Sequence, residues 1–321
     1  MSPLAAFIAT LLAFSGLAAA ASSQGTHKFN WRKTKYFYAF GDSYTFVQGT
    51  EGHANFSFIG DAFDFSFTPQ QLLQNEIIPK NTSSDGSNWT EFLTGCFSGK
   101  PSACSRQLWN FAFAGADISK DLLPLHHDYT VALVDEVVQW EKYASHVVPH
   151  PPDETVVAWF IGINDTGDTQ ANTTLDFPTF WEQEMEALFG AVQNAYAHNL
   201  RGAYLFINVP TLDRSPGALG KSPAAIATYA QHIADYNAAL ATHQAAFADA
   251  HPDITVVSFD ANKWFGEVLD NAEAFGFTNI TGFCQCTDPG FFWYNTGHIT
   301  EHVHRLMAGA IRTELMRASQ V

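Results

Sequence analysis

The first point in the chain where residue types and spacing suggest chemistry is Gly41-Asp42-Ser43-Tyr44, directly after the apolar run Tyr36 to Phe40. That run reads as a buried strand, so Ser43 falls at a strand's carboxyl end, on a turn expected to enter a helix. In open parallel sheets ligands bind beyond the carboxyl ends of the strands, and backbone N–H groups there can hold negative charge. A serine hydroxyl so placed is a candidate nucleophile, although Gly-Asp-Ser by itself equally describes the cap of an ordinary helix. Asp42 reads as a turn residue bonded to backbone, not as an acid.

Histidines are the other reactive type that clusters. His126-His127 and the trio His298, His302 and His304 raise the question of a metal. His298 and His302 form an i, i+4 pair at a helix start, and the neighbouring Glu301 points elsewhere, so the sequence is read as holding no metal and no organic cofactor. Cys96, Cys104, Cys284 and Cys286 lack the spacing and partner histidines of a zinc site. In an oxidising compartment an even count points to disulfides, with Cys96 to Cys104 the favoured pair. Cys284 and Cys286 are close enough that a bridge between them would be strained, which leaves cross-pairing open.

The elements that must position these residues alternate between short apolar runs and longer segments of helical period. Tyr36 to Phe40, Thr155 to Ile161, Ala203 to Val209 and Ile254 to Phe259 are apolar nearly throughout, as strands buried on both faces are. Thr130 to His146, Thr179 to Asn199, Pro223 to Ala250 and Thr300 to Arg317 read as helices. The pattern predicts a three-layer α/β/α sandwich with a central, mainly parallel sheet, one domain over 22–321. The stretch from about 45 to 99 has no clear period and is rich in Phe, Asn, Ser and Gly, so it reads as a long loop insertion of the kind that builds binding sites. Phe46, Phe56, Phe58, Phe63, Phe65 and Phe67 lie within it, as satellite packing or as a wall against substrate.

Three further segments follow in order at expected strand ends: Asn110 to Ala116 (NFAFAGA), Gly162-Ile163-Asn164-Asp165, and Asn295-Thr296-Gly297-His298. With Gly41-Asp42-Ser43 they resemble the four blocks of the GDSL, or SGNH, hydrolases. Phe40, Asn208-Val209-Pro210 and Phe292-Trp293 strengthen the likeness, which spans Tyr36 to about Ala310. The spacing is most similar to fungal secreted acetylesterases of carbohydrate esterase family 16, and more distantly to plant GDSL lipases. The resemblance implies a serine esterase in which Ser43 attacks an ester carbonyl and His298 is the base. The N–H of Ser43, the N–H of Gly115 and the side-chain amide of Asn164 would hold the oxyanion. Asp165 would do structural work beside Asn164. Substrates implied are acylated carbohydrates of plant walls, with a lipid acylhydrolase or lysophospholipase as the alternative.

The departure from the family pattern is Asn295, where an aspartate usually orients the histidine. Its Oδ1 can accept the Nδ1–H bond but brings no charge to an imidazolium. Three readings follow: a working modified triad, another acid such as Asp288 taking over, or a weakened relative that serves as a secreted binding protein.

Composition bounds the rest. The 321 residues are 46% apolar, enough for a large core, and the net charge of −16 argues against nucleic-acid partners. The apolar run Leu4 to Leu17 followed by Ala18 to Ala21 predicts a secretory signal over 1–21 and an extracellular protein without stable membrane insertion. Sequons begin at Asn55, Asn81, Asn88, Asn164, Asn172 and Asn279. Most are expected to mark exposed, glycosylated loops, Asn164 excepted.

Overall fold

The apolar runs pair side by side. In the computed structural model, which describes residues 29–61 and 63–319, one parallel sheet has the spatial order Gln107–Asn110, Tyr36–Gly41, Thr155–Phe160, Ala203–Ile207, Thr255–Phe259. The chain starts next to one edge and runs outward on both sides of Tyr36–Gly41, so the sheet reverses direction of growth there. Such a switch point opens a crevice beyond the strand ends. The expected signal segment lies outside the described residues.

Alternation along the strands assigns the two faces. On one face Phe40 stacks on its register partner Trp159 with centroids 4.8 Å apart, and Trp159 on Phe206 at 6.4 Å. Phe189 of helix Phe177–Ala197 continues the row, 5.5 Å from Phe206. Offset aromatic pairs of this kind add about 0.5–1.5 kcal/mol each beyond their buried area. On the other face Trp89, from helix Trp89–Thr94, meets Phe37 and Phe160 at 6.0 and 6.3 Å, and that helix packs on Glu301–Ala318. The result is a three-layer α/β/α sandwich.

Helix Pro223–Ala250 has the expected bounds, whereas the segment read as Thr130 to His146 is helical over Leu133–Gln139 and continues as a wider turn over Trp140–Ala144. Strand Gln107–Asn110 escaped the periodicity reading because it is a four-residue edge strand with polar ends. Helix Ala261–Asp270 buries Ala261, Phe265, Val268 and Leu269, an i, i+4, i+7, i+8 stripe.

Within 45–99 the chain forms a short pairing of Glu51–Gly52 with Ile59–Gly60 and the helices Pro69–Gln74 and Trp89–Thr94. Phe46, Phe58 and Phe67 are buried, Phe56 and Phe65 half-buried, and Phe63 is 71% exposed, so most of these rings are packing. Asn88 departs from the sequon expectation. It is buried, and its amide donates to the Thr45 and Phe46 carbonyls, so no glycan fits there. The disulfides are Cys96–Cys104 and Cys284–Cys286, with Cα atoms 5.5 and 5.2 Å apart. The second pairs the two cysteines whose closeness argued against it; their Cα separation lies inside the bridging range. Among the described residues no helix is long and apolar enough to cross a membrane.

Candidate active site

Strand Tyr36–Gly41 ends in a glycine because nothing larger fits. Gly41 has φ +151°, and a Cβ there would lie 2.1 Å from the Phe160 carbonyl oxygen. The chain then turns sharply: Thr45 and Phe46 both donate backbone N–H to the Asp42 carbonyl at 3.0 Å, and Asp42 Oδ1 accepts from Tyr44 N–H at 2.9 Å. Ser43 thus sits on a single turn and not at the head of a helix, which differs from the expectation. Asp42 is fully buried, and its carboxyl is pushed up to about 8, chiefly by burial.

Residues 255 positions apart in sequence meet at this turn, with His298 Nε2 2.8 Å from Ser43 Oγ. The loop carrying His298 is shaped by Asn295. Its Oδ1 accepts from His298 Nδ1 at 3.1 Å, from His298 N–H at 2.8 Å and from Gly297 N–H at 2.9 Å. Two of these donors are backbone N–H groups, which cannot accept, so the amide oxygen must face them. Nδ1 then carries the ring proton, and Nε2 is left to accept from Ser43. Enclosure lowers the imidazole pKa to about 4. Asp288, the other acid considered, instead accepts from Gly290 N–H at 2.8 Å within its own turn.

The expected anion-holding groups come from neighbouring strand ends. Among the described residues neither Ser43 N–H nor Gly115 N–H donates to a protein acceptor. Asn164 lies in helix Ile163–Thr169, which starts from Gly162 at φ +108°; a Cβ at that glycine would strike the Tyr236 ring. Asn164 Nδ2 donates one proton to the Ala116 carbonyl at 2.8 Å, which anchors the amide to the Gly115 loop and leaves its second N–H unused. Asp165 Oδ1 accepts from Ile118 N–H at 2.8 Å, so adjacent residues fasten helix and loop together. His302 packs its ring on Phe277, while His304 is buried beside Tyr44 and driven to about 3 by that burial.

A family profile described as GDSL-like Lipase/Acylhydrolase matches residues 37–311. The chain belongs to that family. It is 29% identical over 287 residues to an acetylesterase of Thermothelomyces thermophilus, covering 87% of each chain. A GDSL-like lipase from Parabacteroides merdae has a similar fold, with a TM-score of 0.51 at 14% identity, 91% of this chain and 100% of the other being covered.

Two residues of this GDSL site escaped the sequence reading. Glu136, fully buried, accepts from Gly41 N–H at 2.9 Å through one oxygen and from Phe113 N–H at 3.0 Å through the other. It therefore holds the backbones leading to Ser43 and to Gly115 in fixed relation, and burial raises its carboxyl well above the usual range. The available signal was an acid three residues after Leu133, within the buried stripe of Leu133–Gln139. Tyr44 donates its hydroxyl to the Gly297 carbonyl at 2.5 Å and lays its ring 5.5 Å from that of His298. It braces the histidine loop from the serine side.

Proposed function

We propose that the chain is a secreted serine esterase that removes acetyl or similarly short acyl groups from plant-wall carbohydrates. The observation that carries the reading is the 2.8 Å contact between Ser43 Oγ and His298 Nε2, with Nδ1 engaged by Asn295. As the Ser43 oxygen attacks the ester carbonyl, its proton passes to Nε2, and the oxyanion is held by the N–H groups of Ser43, Gly115 and Asn164. The imidazolium returns the proton to the departing alcohol, leaving an acyl-serine. Water then attacks the acyl carbon with His298 again as base, releasing the acid and free Ser43. Asn295 steadies the tautomer without supplying a charge.

Support for a short acyl group is the family membership and the likeness to an acetylesterase. Support for secretion is the apolar leader and the four cysteines paired as disulfides. The test is turnover of acetylated oligosaccharides against p-nitrophenyl esters of increasing chain length. Rates that climb with chain length exclude the deacetylase and indicate a lipid acylhydrolase. Failure of a fluorophosphonate to label Ser43 excludes the serine mechanism and indicates a binding protein.

A further inference from the structure

Three ligand-type side chains meet beside the Gly115 loop and take no part in the acyl-transfer scheme. Asp117, His126 and Asp168 each offer one oxygen or nitrogen, all within 4.8 Å of one another. His126 Nε2 stands 2.5 Å from Asp168 Oδ2 and 3.9 Å from Asp117 Oδ2. Asp117 is 2% exposed, and neither of its oxygens has a hydrogen-bond partner. A buried carboxyl with no donor is costly as an anion unless it is paired or coordinates a metal, and otherwise it keeps a proton, as burial favours here by raising Asp117 to about 9. Its surroundings deepen the deficit, because the carboxyls of Asp165 and Asp42 are buried nearby.

We propose that Asp117, His126 and Asp168 form a binding site for a divalent transition-metal ion, with Zn²⁺ the best match. One imidazole nitrogen and two carboxylate oxygens are a borderline donor set that suits zinc better than calcium or magnesium. Bonds of about 2.0–2.1 Å to a tetrahedral ion set its ligand atoms about 3.3 Å apart. The His126–Asp168 separation of 2.5 Å has to widen and the His126–Asp117 separation of 3.9 Å to close, each by less than an ångström, while the Asp117 and Asp168 oxygens, within 4.8 Å of each other, close by up to about 1.5 Å. The side chains of His126 and Asp168 are 30% and 42% exposed, which gives the freedom to adjust and a path for the ion. Asp117 supplies the fixed, buried ligand.

The location gives the ion a positioning role. His126 covers the backbone of Gly115, where a Cβ would meet Nδ1 at 3.3 Å. Asp117 follows Gly115 by two residues, and Asp168 shares helix Ile163–Thr169 with Asn164. One ion would tie the loop and the helix that carry two of the oxyanion donors. Binding of the ion is independent of the reaction assigned to Ser43; only its effect on rate rests on that reading.

The experiment is calorimetric titration of chelator-treated, full-length protein with Zn²⁺ at neutral pH, beside Asp117→Asn and Asp168→Asn. Asp168 lies at the surface, so its variant keeps the test valid if Asp117→Asn fails to fold. The expected result is one stoichiometric site, with affinity reduced at least about tenfold by either substitution. Labelling of Ser43 by a fluorophosphonate reads the reaction assignment separately. Absence of a stoichiometric site, or equal affinity in Asp168→Asn and the unmodified protein, overturns the proposal. The first result means the cluster holds protons, the second that Zn²⁺ sits on other histidines.

Discussion

Replacing Asn295 by aspartate asks what a negative charge adds to a base that is already held in place. The carboxylate meets the same three donors, so the tautomer and ring orientation carry over. The new term is Coulombic: at the observed 3.1 Å and an effective dielectric of about 20, imidazolium and carboxylate attract by about 5 kcal/mol. That is a ceiling, because the carboxylate must also shed water. At 1.36 kcal/mol per pKa unit, half of it raises the His298 pKa by about two units from its value of about 4. The same attraction stabilises the imidazolium that forms in the transition state. The kcat/KM for p-nitrophenyl acetate is therefore expected to rise about 10- to 100-fold on the alkaline plateau. The assay is the full pH profile of kcat/KM, whose acidic limb reports the free-enzyme imidazole. For the unmodified protein the limb falls near pH 4, and for Asn295→Asp about two units higher. An acidic limb that does not move refutes the reasoning, since it means that residue 295 does not act through Nδ1.

Asn164→Ala removes one expected oxyanion donor and should lower kcat about 10²- to 10³-fold, with KM little changed and the circular dichroism spectrum intact. Glu136→Gln exchanges one of two accepting oxygens for an NH₂ group; Phe113 N–H keeps its other bond, to the Gly41 carbonyl at 3.0 Å, so the loss falls on Gly41 N–H when the new nitrogen faces it, or on the shared bond of Phe113 when it does not. Urea unfolding should show a loss of about 1–3 kcal/mol, and an unchanged midpoint contradicts its role. Stability should also depend on pH. Buried Asp42 and Glu91, both raised to about 8, keep protons that the unfolded chain releases near its ordinary carboxyl values of 3.8 and 4.5. Their contribution is full below those values and is lost as pH climbs through 8. His298 and His304, lowered to about 4 and about 3, act oppositely and cost stability as pH drops below 6.5. In the presence of chelator, Tm should decline from pH 6.5 to about 9, and a flat or rising Tm over that interval contradicts the assignment.

Much of the scaffold was legible because parallel strands buried on both faces leave uninterrupted apolar runs, as Thr155–Phe160 and Ala203–Ile207 do. The edge strand Gln107–Asn110 was not, since an edge needs fewer apolar residues and its neighbour supplies the register. Ser43, Gly115, Asn164 and His298 stood out because each belongs to a short block at a strand end or helix start. Glu136 and Tyr44 act through contacts with segments far off in sequence, Phe113 and Gly297 among them, and no local pattern encodes such contacts. The Cys284–Cys286 bridge was discounted on spacing alone, although the backbone there brings the Cα atoms to 5.2 Å.

The 255-residue span between the hydroxyl and its base has a consequence for biogenesis. A ribosome that has made the whole sheet, through Thr255–Phe259, has still not made the segment bearing His298. On the proposed mechanism, the nascent polypeptide lacks its base for nearly all of its synthesis. Hydroxyl and base can meet only after the segment bearing His298 is made, just ahead of Glu301–Ala318, the helix that packs beside Trp89–Thr94 in the folded protein.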